Sequence, residues 1–381
     1  MSPLIIKTAI AGAARVVAGV IAFTVTAAVA RALGSEASGL FFLGVSLLAA
    51  LTMFFRLGLD GVVLRIIATE PLSLKAQVGL NTALLWVTLA SVPSALLIFV
   101  LSDFISVFFF SKPEFASLLR WFILGLPAFA LFTTLSSAFQ GQHRMIATVM
   151  FQRLGISACF LTLFMSCLFA FPNEINAVST AAMYAISSVV VLIVGLFIWY
   201  KQPGIVAIPL QFKKLEMWSS SSNMWVTSIM GIVVNCSGVL VAGAYVQTFE
   251  LAYLVAAQRT AGLIAFVLMV INTVAMPRYA NLWSKSDPAA IRRLAKISSR
   301  TALFIAVPVV VFIVFFADDI MGLFGKDFEH GAHLLLILAI GQLVDVASGS
   351  AVGLLMMTGF ERNLRRVALF TGPLSIVCAV W

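Results

Sequence analysis

Charge is what this chain has least of. Only 10% of its residues are Asp, Glu, Lys or Arg, whereas a soluble domain carries roughly a quarter. A water-soluble fold built from it would have too few polar side chains to cover its surface. Three histidines and four cysteines occur in 381 residues. Cys159, Cys167, Cys236 and Cys378 lie mostly within apolar stretches and show no metal-ligand spacing, so they read as small apolar packing residues. No nucleophile–base pair and no phosphate-cradling loop stands out, which leaves catalysis without support and implies no cofactor and no metal. The formal charge of +9 would suit nucleic acid. That reading fails because the basic residues sit between apolar runs, not in a patch beside aromatic platforms.

What the chain has instead is hydrocarbon-like sequence: 62% of residues are hydrophobic and the mean hydropathy is +1.09. About 20 apolar residues suffice for a helix to span a bilayer, and such runs recur between short polar breaks. The pattern predicts spanning helices near 9–30, 38–63, 77–101, 118–140, 146–170, 177–199, 218–243, 250–276, 301–317 and 331–357, with an eleventh, 367–381, cut short. The fold class is therefore an all-α polytopic membrane protein. The opening residues lack a cleavage site, and their apolar run is too long for a signal peptide.

Loop charge sets the orientation. With the N-terminus inside, sixteen basic residues, Lys7, Arg65, Lys75 and Lys201 among them, fall on the cytoplasmic side. Four (Arg31, Lys112, Arg120 and Lys326) fall outside. That asymmetry is the positive-inside pattern. The net charge then reflects topology and the anionic inner leaflet. The segment 277–300 places Ile291, Leu294 and Ile297 beside Arg292, Arg293 and Lys296. It fits either a basic amphipathic helix lying on the membrane surface or an ordinary positive loop.

An internal repeat is legible in the outer loops. Ser102-Asp103-Phe104-Ile105-Ser106-Val107-Phe108-Phe109 precedes Lys112 and Phe115; Asp318-Asp319-Ile320-Met321-Gly322-Leu323-Phe324-Gly325 precedes Lys326 and Phe328. Asp103 and Asp319 are 216 residues apart, as are Gly125 and Gly341. Six predicted helices fill that separation. An even number makes the halves parallel repeats about an axis along the membrane normal. The expectation is a six-helix lobe over 1–200, a cytoplasmic linker over 201–217, and a second lobe over 218–381 that stops short of its sixth helix.

The same residues carry a family resemblance. Leu33-Gly34 followed by Gly39-Leu40-Phe41 resembles the LG-xxx-YGLF start of the second helix in polysaccharide-export flippases. Gly58-Leu59 with Leu64-Arg65 resembles their GL-xxx-LxR exit. Asp319-Ile320 through Phe328, then Gly341-Gln342-Leu343 and Thr358-Gly359, is similar to their late signature. The resemblance covers nearly the whole chain and points to the multidrug, oligosaccharidyl-lipid and polysaccharide exporter superfamily. It implies alternating access in the bacterial inner membrane and transfer of an undecaprenyl-diphosphate-linked oligosaccharide to the outer leaflet. The implied partners are that lipid-linked substrate, membrane lipids, coupling protons or sodium ions, and envelope polysaccharide assembly proteins.

Ionisable groups inside spans cost roughly 2.5–3.5 kcal/mol each on insertion scales and mark function by default. Here they are Arg15, Arg56, Asp60, Arg153, Arg259 and Asp345. Four cations against two anions leave an excess that a diphosphate would neutralise, and guanidinium forks suit phosphate oxygens. Each group has a plainer reading. Arg56 and Asp60 stand four apart on one helix face and can neutralise each other; Arg153 can snorkel; Asp345 can pair or cap beside Gln342. Gln258 adjoins Arg259, and Asn81, Asn235 and Asn272 suit either sugar hydroxyls or interhelical hydrogen bonds. Asp60 and Asp345 are the candidates for ion coupling. Gly349 to Gly353 forms a GxxxG packing pattern.

Two rivals stand beside the flippase. A cation-coupled multidrug exporter would want a buried acid in the N-terminal lobe, where the first helix has Arg15 and no acid. A membrane glycan polymerase or ligase would want a long outer loop with catalytic groups, and the outer loops are short. The orientation is directly testable. In a cysteine-free background, Lys285→Cys should react with an impermeant maleimide only in inverted vesicles, and Glu174→Cys only in right-side-out cells.

Overall fold

The structure is a computed structural model that describes residues 3–69, 73–142, 154–202 and 216–349, with isolated positions at 148, 151 and beyond 350. Side chains of 3–15, of 216–223 and of scattered positions between 226 and 284 lie outside that description. Among the described residues twelve α-helices follow in order: α1 Pro3–Phe55, α2 Leu59–Thr69, α3 Leu74–Val100, α4 Ser102–Phe108, α5 Phe115–Gly141 and α6 Gly155–Ala170. Then come α7 Ala177–Tyr200, α8 Glu216–Tyr245, α9 Thr248–Ser284, α10 Pro288–Phe315, α11 Ala317–Gly322 and α12 Ala332–Ser348. Among the described residues there is no strand, as hydrocarbon requires of a chain that satisfies its backbone within each segment. Among the described residues seven helices are long and apolar enough to cross a membrane; Gly155–Ala170 and Cys236–Tyr245 are shorter apolar pieces.

Helix ends follow local chemistry. Ser73, Asn176 and Asp287 cap α3, α7 and α10 by accepting the backbone N–H groups of Ala76, Ser179 and Ala290. Gly34, at φ 76° and ψ 177°, turns α1 between its two predicted spans. The predicted span 38–63 is interrupted after Phe55, and within the predicted 331–357 the helix α12 ends at Ser348, before Gly349, whose φ is 68°. Gly349 is thus the C-cap of α12, and the rest of the Gly349 to Gly353 pattern lies largely outside the described residues. The basic segment 288–300 is not a separate surface helix: it is the start of the 28-residue α10. At 1.5 Å per residue α10 is about 42 Å long, roughly 12 Å more than the hydrocarbon core. Its charged first turns therefore project beyond the lipid.

Two compact units divide the chain, one on Leu40–Gln247 and the other on Met1–Gly39 with Thr248–Leu374. The boundaries fall at Gly39 and Gln247, away from the 201–217 linker used to separate the lobes in sequence. The first segment of α1 packs with the later helices, and α8 packs with the earlier ones.

In the Leu40–Gln247 unit, α5 is the hub, buried along almost its whole length against α2, α3 and α7. Leu59, Val63 and Ile67 of α2 meet Leu80, Ala83 and Val87 of α3, Leu135 and Phe139 of α5, and Trp199 of α7. Close approach depends on small residues, as is usual where lipid supplies no hydrophobic drive. A Cβ at Gly125 would press on Ala185, and one at Gly141 would meet Ile67 and the Leu64 carbonyl. The short α4 is followed by Lys112, whose Nζ donates to the carbonyls of Gly243 at 2.7 Å and Val246 at 2.9 Å. These lie at the C-terminal end of α8, where the helix dipole favours a cation. Burial pulls the Lys112 ammonium below the usual lysine range.

In the other unit α9, α10 and α12 pack on one another. Phe23 of α1 meets Phe324 edge-on at 5.1 Å, and Phe266 of α9 sits where a Cβ on Gly19 would go. Here Arg31 Nε donates to the Leu323 carbonyl at 2.6 Å, behind the short α11. The two loops matched in sequence thus share a short helix, each with its aspartate in the first turn. Each loop also ties down the end of a helix from the other half of the sequence. Lys112→Met should lower the melting temperature in detergent, at about 1.5–3 kcal/mol or more for the lost charged hydrogen bonds; Lys112→Arg should lower it less.

Candidate substrate site

Among the described residues, two consecutive left-handed residues interrupt a predicted span at Arg56-Leu57-Gly58. Leu57 (φ 55°) and Gly58 (φ 69°) are both left-handed, and two such residues end a helix. Glycine tolerates that conformation; for leucine it costs about 1–2 kcal/mol. Strain of this kind collects at functional sites. α2 restarts at Leu59 and has 11 residues, so the break lies about 16 Å in from its far end.

A break in hydrocarbon frees carbonyls that need donors. The Phe54 carbonyl accepts from Trp225 Nε1 of α8 at 2.8 Å, and the two rings meet edge-on at 5.2 Å. The Arg56 carbonyl accepts from Leu59 N at 2.9 Å. Met224 fills the space above Gly61. Asp60 stands in the first turn of α2, where the dipole favours a carboxylate.

Arg56 Nη1 and Asp60 Oδ2 form an ion pair at 3.0 Å, with the side chains 16% and 24% exposed. Of the two readings open in sequence, mutual neutralisation is therefore realised. Arg56 is no uncompensated cation, and Asp60 is no free acid. The pairing is incomplete, however. Arg56 Nε is buried without a hydrogen-bond partner, as is the Thr52 hydroxyl one turn earlier. A buried donor left unmet costs about 1–3 kcal/mol. An acceptor oxygen delivered to this break would be bound correspondingly well.

Asn81 lies in the same unit. It is buried, and its Oδ1 accepts from the Tyr200 hydroxyl at 3.4 Å, tying α3 to α7. Nearer the ends of α5 and α7, the side-chain amides of Gln142 and Gln202 are buried with neither atom hydrogen-bonded. Sequence reading missed both as candidates. Their signal was a glutamine just past the end of an apolar helix.

Gln258, Arg259 and Asp345 belong to the other unit. Ala256, Ala257, Thr260, Ala261 and Ile264 bury one face of α9. Gln258 is half-buried and Arg259 is exposed. Arg259 lies about 16 Å beyond Thr248 at 1.5 Å per residue, within the apolar span Thr248–Asn272. Among the described residues it forms no ion pair. Asp345 is exposed near the end of α12. The side chains of Arg15, Arg153 and Asn235 lie outside the described residues. The structure thus brings together Arg56 with Asp60, and leaves Arg259 the unmatched cation of the set. Among the described residues no cluster of His, Cys, Asp or Glu could hold a metal ion.

Solved structures of several transporters share this fold. An inward-facing MATE-family multidrug resistance transporter of the MOP superfamily superposes with a TM-score of 0.70 at 14% identity, covering 94% of this chain and 83% of its own. The eukaryotic MATE transporter AtDTX14 gives 0.61 at 16% identity, covering 98% and 93%. A MOP superfamily transporter from Pyrococcus furiosus, described as having a binding pocket of reverse polarity, gives 0.61 at 13% identity, covering 97% and 84%. No curated protein sequence matches the chain. The MatE family model matches residues 224–381, and the model described as polysaccharide biosynthesis protein matches residues 5–283. With the helical, multi-span architecture, that match over most of its length makes the chain a member of the polysaccharide biosynthesis protein family, a transporter of the MOP superfamily.

Proposed function

We propose that this transporter is a flippase that moves a polyprenyl-diphosphate-linked oligosaccharide across the bacterial inner membrane by alternating access. One observation carries the reading: Arg259 is exposed within an apolar span and has no carboxylate partner among the described residues. A guanidinium at that depth is stabilised only by water or an anion, and its fork of donors matches a diphosphate. The unmet Nε of Arg56 offers a second donor of the same kind. The family match adds the polysaccharide connection. In this reading the charged head enters the protein while the polyprenyl tail stays in lipid.

A cation-coupled multidrug exporter is the second reading, favoured by the names of the structural neighbours. It needs a carboxylate free to exchange a proton or sodium ion. Asp60 is held by Arg56, which leaves Asp345 as the exposed acid. Reconstituted vesicles offered either a lipid-linked oligosaccharide or a cationic dye decide between the two cargoes.

Arg259→Ala should slow oligosaccharide flipping roughly tenfold or more, the worth of one charged hydrogen bond at about 1.5–3 kcal/mol, with unchanged amounts of folded protein. Flipping at the original rate would remove Arg259 from the mechanism. Arg56→Ala should destabilise the protein by about 3 kcal/mol, because it strands the Asp60 charge. Arg56→Ala with Asp60→Asn should recover most of that stability in thermal melts and still flip slowly.

A further inference from the structure

We propose that the basic end of α9 and α10 is a binding site for the headgroup of an anionic phospholipid, distinct from any transport site. Residues 277–300 hold six basic side chains and one acid. The acid, Asp287, is already engaged: its Oδ1 accepts from Ala290 N at 2.9 Å. Arg278, Lys285, Arg292, Arg293, Lys296 and Arg300 are all exposed, and none forms an ion pair among the described residues. α12 also packs here, where Ser299 donates to the Ala347 carbonyl. Its exposed acid, Asp345, makes no ion pair with these residues either.

Shape accompanies the charge. A groove of about 440 Å³ is lined by Arg278, Asn281 and Leu282 of α9 and by Leu294 of α10. Its apolar wall is firm, because Leu282 and Leu294 pack on the buried Tyr279 and Ile291. A second depression of the same volume runs past Arg292, Arg293 and Lys296. Basic pockets between helices at the membrane edge suit phosphate headgroups.

The surface above the groove selects a lipid over free phosphate. Arg293, Ile297, Phe304 and Val311 follow one stripe of α10, at spacings of four and seven residues. Ile297, Phe304 and Val311 are exposed, Phe304 to 81%. A phospholipid with its phosphate on Arg293 can therefore lay an acyl chain along that stripe, and Leu294, the next residue, lines the groove that Arg278 also lines. Exposed Trp283 adds the amphipathic ring typical of the interface.

The test uses the whole protein in phosphatidylcholine nanodiscs, with phosphatidylglycerol titrated in, read by melting temperature and by native mass spectrometry of retained lipid. Phosphatidylglycerol should raise the melting temperature and co-purify. Arg278→Ala/Arg293→Ala should weaken that binding roughly twenty-five-fold, at about fivefold per basic side chain near an anionic surface. The charge-preserving Arg278→Lys/Arg293→Lys should retain most of it. Lys75→Ala/Lys201→Ala, which removes equal charge from the other unit, should change nothing. Equal losses in the two alanine pairs would overturn the proposal in favour of diffuse surface charge. Equal stabilisation by inorganic phosphate would overturn it too, as would undiminished lipid binding by Arg278→Ala/Arg293→Ala.

Discussion

In hydrocarbon neither a backbone carbonyl nor a charge finds water, and that one constraint accounts for the main features of this protein. It removes strands and open loops from the spans and leaves helices. It also explains why the irregular features are so specific. Where the helix breaks at Leu57 and Gly58, Trp225 reaches in from α8 to satisfy the Phe54 carbonyl, and Arg56 finds Asp60 one turn away. Where α8 ends, Lys112 supplies donors to its last carbonyls. Both of these departures are met by a donor or counter-charge. Among the arginines within spans, Arg56 Nε has no hydrogen-bond partner and Arg259 forms no ion pair among the described residues.

The same constraint shapes the two units. Apolar faces are interchangeable in lipid, since Leu gains nothing by leaving it for another Leu. Helix partners are then chosen by small-residue contacts and a few polar ties. Arg31 to the Leu323 carbonyl and Lys112 to the Gly243 and Val246 carbonyls are such ties. Both run from one half of the repeat to the other. Adjacency in sequence has no comparable grip, so the first segment of α1 and the whole of α8 each pack with the opposite half of the chain.

A transporter of the anionic cargo proposed above has to hold its headgroup firmly enough to bring it in and loosely enough to let it go. An arginine already half neutralised, as Arg56 is, serves that need differently from an unmatched one such as Arg259. The first keeps its charge buried between transport events without a ligand. The second is stabilised only by water or an anion. The basic turns at the start of α10 have no such cost, because at about 42 Å the helix carries them beyond the lipid. Their charge is free to act on the membrane surface itself.

Much of this was legible from residues alone. Composition settled the solvent and the helical class, because apolar runs of spanning length have few other uses. The outer-loop repeat was readable because loops are under no pressure to be apolar, so matched loops carry information that matched helices do not. The Arg56–Asp60 pair was visible as a four-residue spacing, though not whether the pair forms. Other features were hidden. The break at Leu57 depends on a strained leucine that no propensity predicts. The unpartnered amides of Gln142 and Gln202 depend on which helices close over them. The projecting start of α10 resembled a separate surface segment because charge suggested an interface, while only the structure shows it continuous with a span. Sequence by itself determined that this is a helical membrane protein with costly arginines in its apolar runs. Tertiary structure alone decided which helices share a unit and which charges are met, because in lipid those choices rest on a few close contacts and not on hydrophobic pattern.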